Sequence, residues 1–154
     1  MKLSIITVNY RSWGHLEAAL TALADDFPSD WEVIVVDNES NPEDFDLFAA
    51  RFPWVSFIAN PNNSGFGHGC NIGVAKASGE QLLFMNPDVI AKREDIQELM
   101  AIKAQYNIGI VAPKQVSSAG KAQKVFDDFP SLLNQSKLVK ALLRLLFQSK
   151  FLDP

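Results

Sequence analysis

Two oxygen-bearing side chains, Asn86 and Asp88, flank Pro87 directly after the apolar run at 82–85. Four apolar residues in a row predict a strand that is covered on both faces, and the proline ends its ladder because it has no N–H. Residues two apart in an extended segment point the same way, so we expect Asn86 and Asp88 to project side by side. Such oxygens suit a divalent cation that bridges to a diphosphate. The alternative is a turn that simply leaves the strand.

Two other apolar runs end in residues of the same kind. Residues 3–8 lead into Asn9, and residues 31–36 lead into Asp37. In open α/β sheets, ligands bind just beyond the carboxyl ends of the strands. The sequence therefore predicts a polar site along one edge of a sheet.

Strands and helices alternate along the chain, which predicts an α/β fold with a mostly parallel sheet and helices on both faces. Ser12 is placed to cap the first helix. Residues 113–126, with Ser-Ser-Ala-Gly at their centre, predict a hairpin or loop. The expected strands are 2–9, 31–37, 54–59, 80–86 and 108–113, and the expected helices are 13–25, 43–51, a glycine-rich helix ending near 78, and 94–106.

Composition narrows the class of protein. A chain of 154 residues with 47% apolar residues is typical of one globular domain. No apolar run is long enough to span a bilayer and no secretory signal precedes the first strand, so we expect a cytoplasmic protein. The single cysteine, Cys70, excludes an internal disulfide. Residues 1–77 hold four basic and ten acidic residues, and this acidic body argues against nucleic-acid binding.

The last residues differ in character from the rest. Residues 129–154 combine a leucine-rich helical pattern with Lys137, Lys140 and Arg144 on another face. We expect a body at 1–128 and a basic amphipathic connector helix at 129–154. Packing on the sheet, contact with the inner face of a membrane, and self-association through the apolar face remain alternatives for this helix.

The glycines Gly67, Gly69 and Gly73 spell a loose dinucleotide-binding fingerprint. In that fingerprint the glycines follow the first strand immediately, whereas here a polar loop separates them from the third predicted strand. The spacing therefore disfavours a nicotinamide or flavin cofactor. The interpretation favoured here is that the glycines let this helix approach the sheet or a ligand closely.

Four segments together resemble the family 2 glycosyltransferases, which have the GT-A fold. The match is closest to the rhamnosyltransferase-like and galactofuranosyltransferase-like members. The segments occur in the family's order and at its spacing within residues 3–90. They are Ser4-Ile5-Ile6-Thr7-Val8-Asn9-Tyr10, Val33-Ile34-Val35-Val36-Asp37-Asn38-Glu39-Ser40, Asn60-Pro61-Asn62-Asn63-Ser64-Gly65-Phe66-Gly67 with Asn71-Ile72-Gly73, and Phe84-Met85-Asn86-Pro87-Asp88.

The resemblance implies transfer of a sugar from a UDP- or dTDP-linked donor to an acceptor hydroxyl, with inversion at the anomeric carbon. It implies that Thr7, Asn9 and Tyr10 line the base pocket, and that Asp37 accepts a hydrogen bond from the pyrimidine or the ribose. Asn71 corresponds to a further polar contact. The loop that closes over the nucleotide corresponds to Asn62, Asn63 and Gly65.

The metal site is also implied by the resemblance. Asp88 matches the last residue of the family's metal motif, which holds Mg²⁺ or Mn²⁺ against the diphosphate. Asn86 stands where that motif begins with an acidic residue, so either the metal affinity is lower or this residue contacts the ribose. Arg11 and Lys114 could neutralise phosphate, although solvated surface charge is the interpretation favoured from sequence.

The resemblance places the acceptor-binding half, with its catalytic base, beyond these residues. We therefore expect the nucleotide-binding half alone, and no catalytic residue can be named from the sequence. Two functions stay open. One is a sugar transferase, for which the activity of the short chain itself is left open, and the other is a non-catalytic module that binds nucleotide or a partner protein.

Overall fold

The computed structural model describes residues 2–117 and 119–122, which contain four strands and four α-helices. In chain order these are β1 (Leu3–Asn9), α1 (Trp13–Ala24), β2 (Trp31–Asn38), α2 (Pro42–Arg51), β3 (Val55–Asn60), α3 (Phe66–Lys76), β4 (Gln81–Phe84) and α4 (Arg93–Gln105). The strands form one sheet in the order β3-β2-β1-β4, and every neighbouring pair is parallel. The predicted α/β class is therefore confirmed, and the predicted bounds of these eight elements agree with the structure to within two residues.

The two central strands form the core of the sheet. β1 is buried throughout and β2 almost throughout, as expected for apolar runs in a parallel sheet with helices on both faces. On one face, Leu16 of α1, Phe48 of α2 and Ile96 of α4 belong to a single hydrophobic cluster with Ile5 of β1. This packing fixes the loops that leave the carboxyl ends of β1 and β2.

The opposite face of the sheet is covered by α3, which lies very close to β1. A Cβ atom added at Gly73 would lie 2.5 Å from Ile6 Cγ2, and one added at Gly69 would lie 2.8 Å from Val8 Cγ1. Any larger residue at these positions would push the helix away from the sheet. The prediction that glycines allow a close approach is confirmed for these two positions.

A carboxylate anchors the segment that connects α3 to β4. Glu32 Oε1 accepts hydrogen bonds from Ser4 Oγ at 2.6 Å, and from the hydroxyl and N–H of Ser78, both at 2.7 Å. Ser4 Oγ in turn accepts one from the Gly79 N–H at 2.8 Å. Partial burial acts to raise the pKa of Glu32, but the hydrogen bonds from the two serines outweigh it and the pKa is lowered.

The segment after β4 differs from its prediction. β4 ends at Phe84, and the Val89 N–H donates to the Asn86 carbonyl at 3.1 Å, which closes a β-turn with Pro87 at its second position. The expectation that Asn86 and Asp88 extend side by side from a strand is therefore wrong. The physical reason is that the alternation of side chains holds only where the backbone stays extended.

The predicted fifth strand at 108–113 is also wrong. These residues form no strand, and Ile110 is 91% exposed. A β-branched run becomes a strand only where a neighbour completes its hydrogen bonds, and the described residues provide none for this segment. Residues 113–126 are expected to form a hairpin or loop, and within their described part Val116 and Ala122 form an isolated antiparallel bridge.

The first compact unit of the chain ends at Gly109. The predicted boundary between 128 and 129 and the predicted helix at 129–154 lie outside the described residues, so both stay predictions. Within the residues that the structure describes, no helix has the length and apolar composition needed to cross a membrane.

Candidate functional site

The carboxyl ends of three strands bring polar side chains to one edge of the sheet. Asn9 of β1 is level with Asp37 of β2, and Asn38 of β2 is level with Asn60 of β3. Neighbouring residues on a strand point to opposite faces, so the side chains of Asp37 and Asn38 lie on opposite faces of the sheet. This edge is where ligands bind in open α/β folds.

On the α1 side of the edge, the Asp37 carboxylate connects two chain segments. Asn9 Nδ2 donates to Asp37 Oδ1 at 2.7 Å, and the Ser40 N–H donates to Asp37 Oδ2 at 3.1 Å. Asp37 is only 3% exposed, and these bonds offset the cost of burying its charge. A carboxylate has about four lone-pair positions, so Asp37 retains capacity to accept a ligand N–H.

The loop between β1 and α1 is joined to the same network. The Arg11 N–H donates to Ser40 Oγ at 3.0 Å, and the Ser12 N–H donates to Asn9 Oδ1 at 3.2 Å. Ser12 is the N-cap residue of α1, but its hydroxyl donates to the Tyr10 carbonyl at 3.0 Å instead of capping the helix. The predicted side-chain cap is therefore wrong: no first-turn N–H donates to the Ser12 hydroxyl, which is directed toward the Tyr10 carbonyl.

On the α3 side, two asparagine side chains connect the ends of β2 and β3 to the start of α3. Asn60 Nδ2 donates to Asn38 Oδ1 at 2.8 Å, and Asn38 Nδ2 donates to the Gly65 carbonyl at 3.3 Å. Asn60 Nδ2 also lies 3.0 Å from Ser64 Oγ. The sequence interpretation did not assign Asn38 or Asn60 to the site. The sequence feature that could have identified them is the asparagine at the end of each of two successive strands.

The predicted nucleotide loop lies next to this asparagine pair. The Asn63 N–H donates to Glu39 Oε2 at 3.3 Å, and the Gly65 N–H donates to Asn63 Oδ1 at 3.2 Å. Gly65 has a φ of 86°, which favours glycine at this position. Asn62, Asn63 and Gly65 are exposed, as is Asn71 on α3. The structure thus places the loop at the mouth of the edge, with its side chains accessible to a ligand.

Two further predicted residues, Thr7 on β1 and Tyr10 directly after it, differ sharply in exposure. Thr7 is 1% exposed, and its Oγ1 has no hydrogen-bond partner in the described part of the chain. Tyr10 is exposed, and its ring lies under the Arg11 guanidinium, whose Cζ is 5.0 Å from the ring centroid. Thr7 lies two residues before Asn9, so the two point to the same face of the sheet.

The predicted metal residues, Asn86 and Asp88, lie in the turn after β4, and β4 is the neighbour of β1. Both are exposed. Among the described residues, no three His, Cys, Asp or Glu side chains cluster in a way that could hold a metal ion. One accessible carboxylate and one accessible amide still fit a hard cation that keeps several waters and takes phosphate oxygens as ligands.

A cavity of about 240 Å³ lies at the amino end of β2, far from these side chains. Its lining residues are Pro28, Asp30, Trp31, Gln97 and Met100. None of the predicted site residues takes part in it. The carboxyl edge therefore remains the candidate site, because it holds the converging polar groups.

Comparison with known proteins finds a family match over most of the chain. The model of the family described as Glycosyl transferase family 2 matches residues 4–142. The chain is 32% identical over 127 residues to the low-salt glycan biosynthesis hexosyltransferase Agl10 of Haloferax volcanii. That match covers 77% of this chain and 38% of the relative.

Solved structures show the same fold. The crystal structure of S. aureus TarS 1–349 in complex with UDP-GlcNAc has a TM-score of 0.59 and 27% sequence identity over 70% of this chain and 32% of that chain. The Pyrobaculum calidifontis mannosyltransferase PcManGT, in complex with GDP-Man and Mn²⁺, has a TM-score of 0.54 and 22% identity over 62% of this chain and 30% of that chain.

The chain spans 38% of the haloarchaeal relative and 32% of the TarS chain, so it corresponds to part of a longer glycosyltransferase domain. The four-stranded parallel sheet is shared with these GT-A proteins. Because the family match extends over most of the chain, this protein belongs to glycosyl transferase family 2.

Proposed function

We propose that this chain provides the nucleotide-binding part of an enzyme that transfers a sugar from a nucleotide-diphosphate donor to an acceptor hydroxyl in glycan biosynthesis. The observation that carries the proposal is the buried Asn9–Asp37 pair at the carboxyl edge of the sheet. Two relatives support it by what their names state. Agl10 is a hexosyltransferase of glycan biosynthesis, and TarS 1–349 was crystallised with UDP-GlcNAc.

The nucleoside is proposed to bind between the β1 and β2 ends and the loop before α3. Thr7, Asn9 and Tyr10 line the base pocket, and Asp37 accepts a hydrogen bond from the base or the ribose. The residues proposed to close over the nucleotide are Asn62, Asn63, Gly65 and Asn71.

The diphosphate is proposed to lie at the turn after β4. Asp88 and Asn86 hold Mg²⁺ or Mn²⁺ there, and the Mn²⁺ in the PcManGT complex supports use of a divalent cation. When bound, the cation stabilises the negative charge that develops on the leaving diphosphate. Asp88 supplies one charged ligand, and the exposure of the turn leaves room for waters and phosphate oxygens.

The finer proposals rest on the family resemblance. They are inversion at the anomeric carbon, a UDP- or dTDP-linked donor, membership of the rhamnosyltransferase-like or galactofuranosyltransferase-like branch, and a cytoplasmic location at or near a membrane surface. An inverting transfer requires a base that takes the acceptor proton. Incubation of the purified chain with UDP- and dTDP-sugars tests the donor, and the anomeric configuration of any product decides inversion.

A non-catalytic nucleotide-binding or interaction module is the second candidate. The lateral edge of the sheet, formed by β4, favours it. β4 has a neighbour on one side only within the described sheet, and its Leu82 and Phe84 are 43% and 49% exposed. An unpaired apolar strand edge is suited to pairing with another polypeptide. Nucleotide binding without hydrolysis or transfer would favour this candidate over the enzyme.

Calorimetric titration of UDP and dTDP, each with and without Mn²⁺, tests the donor site. The comparison uses the native chain, Asp88→Ala, and the control Asp46→Ala, which removes an exposed carboxylate from α2. We expect metal-dependent binding by the native chain and the control, and loss of the metal dependence in Asp88→Ala. Absence of binding by the native chain under every condition would refute the proposed function.

A further inference from the structure

Arg11 occupies a central place at the carboxyl edge of the sheet. It lies between the end of β1 and the start of α1. In the strand order β3-β2-β1-β4, β1 has β2 on one side and β4 on the other. The β1–α1 loop therefore emerges between the turn that holds Ser40 and the turn that holds Asp88. These two turns flank the proposed nucleoside and diphosphate positions.

The backbone of Arg11 is held in an unfavourable conformation. Its φ is 53°, in the left-handed region that a long side chain adopts only at a cost of about 1 kcal/mol or more. Two hydrogen bonds hold it there. The Arg11 N–H donates to Ser40 Oγ, and the Ser40 N–H donates to Asp37 Oδ2. The hydrogen bonds that order the proposed nucleoside site therefore also fix the backbone position from which the Arg11 side chain extends.

The guanidinium of Arg11 is available to an anion. It makes no ion pair within the described residues, and it stacks on the Tyr10 ring. The other arginines of the described structure are paired: Arg51 lies 2.6 Å from Glu17 Oε1, and Arg93 lies 2.9 Å from Glu94 Oε1. The N–H groups of Arg11 form a planar fork that matches two oxygens of a phosphate.

The position of Arg11 differs from that of the other basic residues in the first three βα units. Residues 1–77 contain four basic residues. Lys2 precedes β1, Arg51 ends α2 and Lys76 ends α3, so all three lie toward the amino edge of the sheet. Arg11 is the basic residue that these units place at the carboxyl edge. α1 starts directly after it and has no acidic residue in its first turn, so the positive end of the helix adds to the same local charge.

We infer that the Arg11 guanidinium binds the phosphate oxygens of a nucleoside diphosphate at this edge, an inference that rests on the proposed nucleotide-binding function. The Tyr10 ring holds the guanidinium at the mouth of the site by a cation–π contact. Arg11 thereby recognises the anionic part of the ligand and contributes nothing directly to recognition of the base.

The test compares three ligands, uridine, UDP and inorganic pyrophosphate, by calorimetry on the full chain. The variants are Arg11→Gln, Arg11→Lys and the control Lys76→Gln, which removes one exposed positive charge at the opposite edge. We expect Arg11→Gln to bind UDP and pyrophosphate about tenfold more weakly, the scale of one hydrogen bond to a charged group. Arg11→Lys should lose less, and Lys76→Gln should match the native chain. Uridine affinity and thermal stability should stay unchanged in all three.

The outcomes separate this inference from the proposed function. Equal UDP affinity in Arg11→Gln and the native chain would overturn the inference and leave nucleotide binding intact. An equal loss for uridine and UDP would also overturn it, because Arg11 would then act through the base-contacting Tyr10 ring. A native chain that binds none of the three ligands would refute both the inference and the proposed function.

Discussion

Replacing Gly73 with alanine is expected to destabilise the protein by a net amount of about 1–2 kcal/mol. The new Cβ would lie 2.5 Å from Ile6 Cγ2, whereas carbon atoms in contact sit about 3.5–4.0 Å apart. Either α3 or β1 must therefore shift by about 1 Å. Ile6 is a β-branched residue buried in a central strand, so the overpacking cost should be about 2–3 kcal/mol. The higher helix propensity of alanine offsets about 1 kcal/mol of this overpacking cost.

Gly67→Ala is the matched control because it makes the same chemical change in the same helix. No atom lies within 4 Å of a Cβ added at Gly67, so the variant should gain up to about 1 kcal/mol. Urea unfolding followed by tryptophan fluorescence measures both variants. If Gly73→Ala were as stable as the native chain while Gly67→Ala gained stability, the close packing of α3 against β1 would be refuted.

Three other predictions concern the Asp37 network, the Glu32 anchor and the predicted C-terminal helix. Asp37→Asn should lower the free energy of unfolding by about 1–3 kcal/mol, because Asn9 and Ser40 donate to different oxygens and the amide replaces one of them with an NH2 donor; a urea midpoint equal to the native one would contradict this. Because its pKa is lowered in the folded state, Glu32 stabilises the fold above its ordinary pKa of 4.5 and loses that effect as the pH falls further. The stability difference between the native chain and Glu32→Gln, followed by unfolding across pH, should therefore shrink below pH 4.5; a constant difference would exclude this role. Self-association through the apolar face predicted at 129–154 should appear in light scattering, and a monomer at high concentration would exclude it.

The order of elements and the Asn9–Asp37 pair could be predicted because they follow from local pattern. Apolar runs of strand length fix where β1 and β2 end, and parallel pairing then brings their last polar residues level. The Asn38–Asn60 contact could not be predicted in the same way. It depends on the register of β2 against β3 and on the closeness of α3, which the pattern of either strand alone does not contain.

The failures at 86–89 and 108–113 have a common cause. The residues before Asn86 and those at 108–113 favour extended structure, but a strand persists only where a neighbour completes its ladder. β1 pairs with β4 only as far as Phe84, so the chain turns at Asn86. The left-handed backbone of Arg11 could not be predicted either, because it accompanies a hydrogen bond to Ser40 that sequence spacing cannot reveal.

Ser4 has two hydrogen-bond partners that lie at very different distances along the chain. This difference bears on the order of folding. Its bond to Glu32 spans 28 residues, whereas its bond to Gly79 at the start of β4 spans 75. Closing the longer loop costs about 0.9 kcal/mol more chain entropy, so we expect β4 to dock after β1 has paired with β2. A nascent chain thus assembles the Asn9–Asp37 edge first and gains the Asp88 turn only when the last strand docks.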